Sequence, residues 1–182
     1  YSGFFIQDGV GPWRGLWVYI NSPAVVVGNL VEVLGTVAEY NGLTEIIGAN
    51  VTVLSSDNSL PEPIQLLTGD VGEQYEGVRV SFINATCTEI PNEYGEWQIN
   101  DGSGHVLIDD RLSELEISLM LELGYDVIGI VDSYNGFKVQ ATDVSVHYVE
   151  GAPIAVAGDD LLVNYGDVVI LDGNQSYDSD SG

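Results

Sequence analysis

The residues with the most chemistry to offer are a run of acids near the C-terminal end and a scatter of large aromatics nearer the start. Asp172, Asn174, Asp178 and Asp180 place oxygen-bearing side chains in one polar stretch rich in Gly and Ser. Calcium is held by several oxygen ligands from flexible acidic loops. Asp178-x-Asp180-x-Gly182 is a piece of such a loop, without the distal bidentate Glu of a helix–loop–helix calcium site. Ca2+ is therefore the one cofactor the sequence suggests, set against the plainer reading of a solvated acidic tail. Trp13, Trp17, Tyr19, Tyr40 and Trp97 form the second candidate group. Rings on a β surface stack sugars or bases, and the same rings equally fill small cores.

Nothing else in the sequence assembles a reaction centre. His105 and His147 have no Cys or second His at zinc-ligand spacing. Asp8, Asp101, Asp109 and Asp110 fall at strand ends, where carboxylates satisfy turns. An acid–base pair among them would need a spatial pairing that spacing does not establish. No Ser-His-Asp order, nucleophile elbow or phosphate loop occurs. Cys87 is the single cysteine, so no intramolecular disulfide forms, and it reads as a buried, inert thiol. The expectation is a protein without catalysis.

Charge narrows the partners. The 182 residues carry 4 Lys plus Arg against 28 Asp plus Glu, a net charge of −24. Binding a nucleic acid polyanion requires basic side chains that displace counterions, and this chain has too few. An oligosaccharide suits the aromatics better. The acidity itself gives solubility and self-repulsion, or serves cation binding or saline surroundings. A composition 45% hydrophobic, with 22 Gly and 10 Tyr, belongs to a folded, turn-rich β protein. No apolar run is long enough to span a bilayer, and no signal peptide stands at Tyr1. A secreted or cell-surface location is expected, with any leader removed.

The elements that position these residues come twice. Val127 to Val139 reads as a β-hairpin around Tyr134-Asn135-Gly136, and Val33 to Glu45 repeats it around Tyr40-Asn41-Gly42. The shift is 94 residues, Gly129 minus Gly35. Phe5-Ile6-Gln7-Asp8 matches Gln98-Ile99-Asn100-Asp101 at a shift of 93, and Gly15 to Tyr19 aligns with Gly104 to Ile108. A repeat of this length is a repeated domain. The second copy, 75–149, opens with an alternating strand from Tyr75 to Thr86; the first, 1–54, has no counterpart to it. A linker, 55–74, stiffened by Leu60-Pro61-Glu62-Pro63, joins them, with a short helical turn between Ile64 and Tyr75. A helix is expected over 113–123: Ser113 and Glu116 make a capping box, Leu112, Leu115, Leu119, Met120 and Leu123 share a face, and Gly124 ends it. Thr142 to Tyr148 supplies the last strand.

Strand, strand, strand, helix, hairpin, strand is the order of an OB-fold, a five-stranded Greek-key barrel. Gly3-Phe4-Phe5-Ile6-Gln7-Asp8, Leu16-Trp17-Val18-Tyr19, the glycine–valine run from Gly28 to Val37 and Glu39 to Ile46 resemble the OB-like modules of secreted bacterial nucleases and related surface proteins. Leu60-Pro61-Glu62-Pro63 with Glu76 to Val80 is similar to their linker and second module. Residues 152–182 resemble the opening of a PKD-type, immunoglobulin-like sandwich, through Pro153, Ala157-Gly158, Asp160, Gly166, Leu171-Asp172-Gly173, Ser176, Asp178, Asp180 and Gly182. In those nucleases the hydrolytic domain is separate and metal-dependent, so the resemblance implies a scaffold and no active site.

The expected architecture is all-β with one short helix. It comprises two OB-like barrels in tandem, the first lacking its first strand, and an incomplete PKD-type segment. A barrel short of a strand has open edges that invite another. The expected function is a non-catalytic extracellular assembly module, polymerising into fibres by strand donation between subunits or onto other surface proteins. Leu161, Val163, Val169 and Leu171 are the candidate donor positions. The alternative is an accessory region of a secreted hydrolase or nuclease, binding glycan or nucleic acid.

Overall fold

Ten strands make up the described part of the chain, which the computed structural model gives as residues 2–112, 118–147 and 176. Tyr1–His147 form one compact unit and Tyr148–Gly182 a second; the described strands all lie in the first. Strands β1 (Gly3–Gln7), β2 (Gly15–Tyr19), β3 (Leu30–Tyr40) and β4 (Leu43–Ser55) form a four-stranded sheet in the order β1-β2-β4-β3. Strands β5 (Ile64–Gln65), β6 (Arg79–Glu89), β7 (Trp97–Asn100), β8 (His105–Asp109), β9 (Gly124–Asp132) and β10 (Lys138–Val146) form the other, in the order β5-β6-β7-β8-β10-β9. Strand β6 also pairs antiparallel with β9, which closes β6-β7-β8-β10-β9 into a five-stranded barrel. The protein is all-β, and this barrel is OB-like in strand order.

Alternation explains the barrel's core. Val80, Phe82, Ala85 and Cys87 point inward from β6, Trp97 and Ile99 from β7, and Val106 and Ile108 from β8. Tyr125, Val127 and Val131 of β9 and Val139 and Ala141 of β10 complete the layer. Trp97 packs edge-on against Tyr125 with ring centroids 5.8 Å apart.

Bulges join what the sequence divides. The hairpin arm at Leu43–Ile47 and the run Val51–Leu54 are one strand, β4, because the extra residues near Gly48 form a bulge between Leu34 and Thr36 pairings. The same happens between Ala141 and Asp143, so the hairpin arm and the expected final strand fuse into β10. The two Asn-Gly turns also differ. Asn41 and Gly42, at φ 52° and 88°, make a two-residue hairpin between Tyr40 and Leu43. In the second copy β9 stops at Asp132 and β10 resumes at Lys138, leaving a wider loop, 133–137.

The helix expected over 113–123 is absent where that range is described. Residues 118–120 have no regular structure, Leu121 and Glu122 form a turn, and Gly124 opens β9; residues 113–117 lie outside the described set. Tertiary partners take the backbone groups a helix would use. Glu122 N donates to Cys87 O and Cys87 N to Leu123 O, both at 2.9 Å, and Met120 N donates to the Tyr125 hydroxyl at 2.8 Å. Glu122 itself sits at φ 65°, outside the helical region. The expected short helical turn in the connector is present as two 3-10 turns, Thr68–Asp70 and Glu73–Tyr75.

Asp101, at the end of β7, clamps the first of these turns to the barrel. Its carboxylate accepts Thr68 N at 3.0 Å, Thr68 Oγ1 at 2.7 Å and Ser103 N at 3.0 Å, and the Ser103 hydroxyl besides. Burial alone would raise this carboxyl, but the hydrogen bonds from Ser103 and Thr68 outweigh it and hold it at about 2, below the ordinary 3.8. A depressed carboxyl stabilises the fold above its unfolded value and loses that contribution as pH falls through the folded one. Asp101→Asn is expected to cost roughly 1–2 kcal/mol at neutral pH, after discounting for solvent screening. Urea titrations should show the gap to the parent protein closing as pH drops from 3.8 toward about 2.

Candidate functional site

The first sheet meets the barrel along a glycine contact. A Cβ on Gly15 would lie 2.1 Å from the Gly77 carbonyl carbon, so only glycine allows the two backbones to touch. Around this point Arg79 N donates to Gln7 Oε1 at 2.8 Å, Trp13 N to Gln74 O at 2.7 Å and Asn135 N to Asn41 O at 3.0 Å. Glu76 bridges the two hairpins: one carboxylate oxygen accepts Thr44 N at 2.9 Å, the other the Ser133 hydroxyl. Burial pushes the Glu76 carboxyl above its ordinary value despite these hydrogen bonds.

This junction brings aromatic rings together. Tyr40 and Tyr134, from the repeated Tyr-Asn-Gly turns, stack with centroids 5.9 Å apart and planes 27° apart. They border a cavity of about 270 Å³ lined by Ser2, Trp17, Tyr19, Tyr40, Leu43, Glu45, Arg111 and Tyr134. Phe5 packs edge-on against Trp17 at 4.7 Å and backs that wall.

A buried polar network holds the rim contributed by the barrel. Asp109 Oδ1 accepts Arg111 N at 3.1 Å, and Asp132 Oδ1 accepts Tyr134 N at 2.9 Å. Gln140 Nε2 links the two acids, donating to Asp132 Oδ2 at 2.8 Å and Asp109 Oδ2 at 3.3 Å. Lys138 Nζ, 3.2 Å from Asp109 and 2.6 Å from Glu96, offsets their charge. Burial would lower the Lys138 ammonium, but its bonds to Glu96 and Asp109 leave it raised, and Lys138 in turn lowers Glu96. Asp109, Asp132 and Gln140 are all enclosed, so these acids orient the Arg111 and Tyr134 loops and do not face solvent.

Of the aromatics singled out in the sequence, Trp17, Tyr19 and Tyr40 line this pocket. Trp13 does not; it stands on the β1–β2 turn, 72% exposed. Trp97 does not either, being 1% exposed in the barrel core, where it offers no face to a ligand. Tyr134, Arg111, Glu45, Leu43 and Ser2 were not legible as site residues, although the repeated Tyr-Asn-Gly was a signal for Tyr134. Asp172, Asn174, Asp178 and Asp180, with Leu161, Val163, Val169 and Leu171, lie outside the described residues. Among the described residues no group of three or more His, Cys, Asp or Glu is placed to hold a metal, and no helix is long and apolar enough to cross a membrane.

The second feature is the other face of the first sheet. Its order, β1-β2-β4-β3, repeats β7-β8-β10-β9. Pairing fixes the equivalence: Ile6 opposes Leu16 as Ile99 opposes Val106, and Val18 lies beside Ile46 as Ile108 lies beside Val139. The sequence alignment had set Trp17 against Val106, an inward position; the structural register sets Leu16 there instead. That one-residue slip turns Trp17 away from the barrel-like interior and onto the junction. On the interior face Val31, Val33 and Val37 correspond to Tyr125, Val127 and Val131. The barrel residues are fully buried, whereas Val37 is 65% exposed and Val31 and Val33 are half-buried. What differs is β6, whose Val80, Phe82, Ala85 and Cys87 seal the barrel; no described strand bridges β1 and β3.

No protein-family model matches the chain, and no curated protein matches it.

Proposed function

We propose that the chain is a non-catalytic extracellular β module that assembles by accepting a strand into its first sheet. The observation behind this reading is that no described strand joins the edges of β1 and β3, and that Val31, Val33 and Val37 on the interior face between them stay at least partly wet where Tyr125, Val127 and Val131 are dry, while Val18 and Ile46 on the same face are covered. In this reading the first sheet is an OB-like barrel short of its first strand, in tandem with the complete one.

The barrel supplies a template for the visitor. Strand β6 runs antiparallel to both neighbours, with Phe82 opposite Val127 and Thr86 opposite both Gly124 and Asn100. An incoming strand would run antiparallel to β3 along Leu30–Thr36, then to β1 along Phe5–Gln7. It would carry small or apolar residues at the spacing of Val80, Phe82, Ala85 and Cys87. In the sequence, Leu161, Val163, Gly166 and Val168 repeat that spacing, so of the four candidate donor positions Leu161 and Val163 keep this register and Val169 and Leu171 do not. A neighbouring copy of this chain is the donor we favour. Head-to-tail donation from one copy to the next gives fibres where the rotation between copies does not close into a ring. The PKD-like stretch then serves as donor, and the acidity of −24 tunes assembly through salt.

Light scattering on the full chain tests this. Mass is expected to climb with protein concentration, and more steeply at about 0.5 M salt than at about 0.05 M, because screening relieves the repulsion between copies. A monodisperse monomer at about 1 mM protein in both salts overturns the reading.

A further inference from the structure

We propose that the junction pocket is a binding site for a neutral saccharide. This goes beyond strand addition and uses the opposite face of the first sheet: Trp17 and Glu45 face the pocket, while their neighbours Val18 and Ile46 lie on the interior side.

The lining selects the ligand class. Tyr19, Tyr40 and Tyr134 put aromatic rings in the lining, Tyr40 and Tyr134 as a stacked pair, and the C–H face of a pyranose packs on such rings. Glu45, itself buried, is a carboxylate acceptor, and Arg111, whose guanidinium also pairs with Asp109 Oδ2 at 3.7 Å, adds a planar donor to the same lining. Sugar hydroxyls donate and accept at once, so adjacent hydroxyls answer both groups. Charged ligands fit less well. A nucleotide or uronic acid meets Glu45 and a chain of net charge −24, and an ammonium ligand meets Arg111. A cavity of about 270 Å³ holds a sugar ring and is small for a folded peptide.

The site is also preorganised. The Asp109–Gln140–Asp132 network holds the backbone of Arg111 and Tyr134, and Glu76 with the Asn135–Asn41 bond ties together the two turns on which Tyr134 stacks with Tyr40. Ring positions set before binding reduce the ordering cost that weakens shallow sugar sites. Neither sheet has the pocket alone.

The test titrates the full chain with cellotetraose, xylotetraose and chitotetraose, read by intrinsic fluorescence and ligand-observed NMR. At least one is expected to saturate with a Kd between about 0.01 and 1 mM. Tyr19→Ala should weaken that binding about tenfold at an unchanged melting midpoint, and Tyr134→Ala by a similar factor, while Trp13→Ala leaves it intact. The proposal falls if none of the three saturates below about 10 mM. It falls equally if tetragalacturonic acid or a thymidine decamer binds instead, or if both tyrosine variants bind normally. Light scattering reads assembly separately, so the two proposals fail separately.

Discussion

A chain carrying Val33→Cys and Val163→Cys is expected to link to its neighbours as a ladder of disulfide-bonded multimers under mild oxidation. The register comes from the barrel. Phe82 of β6 lies directly opposite Val127 of β9. Val33 stands two residues before Gly35, as Val127 stands two before Gly129. In the proposed donor, Val163 takes the place of Phe82. Directly opposed residues on antiparallel strands bring their Cβ atoms to about 4.5–5.5 Å, close enough for a disulfide with slight adjustment. The control is Leu162→Cys paired with the same Val33→Cys. Because side chains alternate, one step along the donor points the thiol to the other face, and cross-linking should collapse to the level of Val33→Cys alone. The native Cys87 is fully buried, and burial pushes its thiol up, so it stays silent in this assay. Equal cross-linking from positions 162 and 163, or no ladder at about 1 mM protein, would reject the register.

How much of this was legible depends on which forces act locally. The closed barrel was readable because β-branched runs such as Val127–Val131 and the repeated Asn-Gly turns carry their own instructions. The proposed opening of the first sheet rests on the absence, in residues 1–54, of a counterpart to the Arg79–Glu89 strand, and no described strand joins β1 to β3. Over 118–123 the expected helix does not form: Leu119 and Leu123 have helical spacing, yet there the groups of Cys87 and Tyr125 claim the backbone. That competition is between distant residues and leaves no local trace. The register of Trp17 in the repeat was off by one for a related reason. The turn after β1 is longer than the turn after β7, and a gap of uncertain length cannot fix the parity of the strand that follows. The pocket was half legible: aromatic type flagged Trp17, Tyr19 and Tyr40, but Glu45 and Arg111 come into one lining only through the docking of two sheets at Gly15 and Gly77.

The sharpest test of the proposed unsealed interior compares two valines. Val131 and Val37 occupy equivalent places, opposite Val139 and Ile46 respectively, but one is fully buried and the other 65% exposed. Val131→Ala removes two methyl groups from a packed core and leaves a void that neighbours only partly fill. It is expected to cost about 2–3 kcal/mol in urea unfolding. Val37→Ala removes the same atoms from a surface already in water and should change stability by no more than about 0.5 kcal/mol in dilute protein. Raising the concentration into the assembling range should leave the Val131 cost unchanged and increase the Val37 cost toward it, since a donated strand would dry that face. If Val37→Ala is as damaging as Val131→Ala in the dilute monomer, the first sheet is already sealed in solution, and no vacancy remains for a strand to enter.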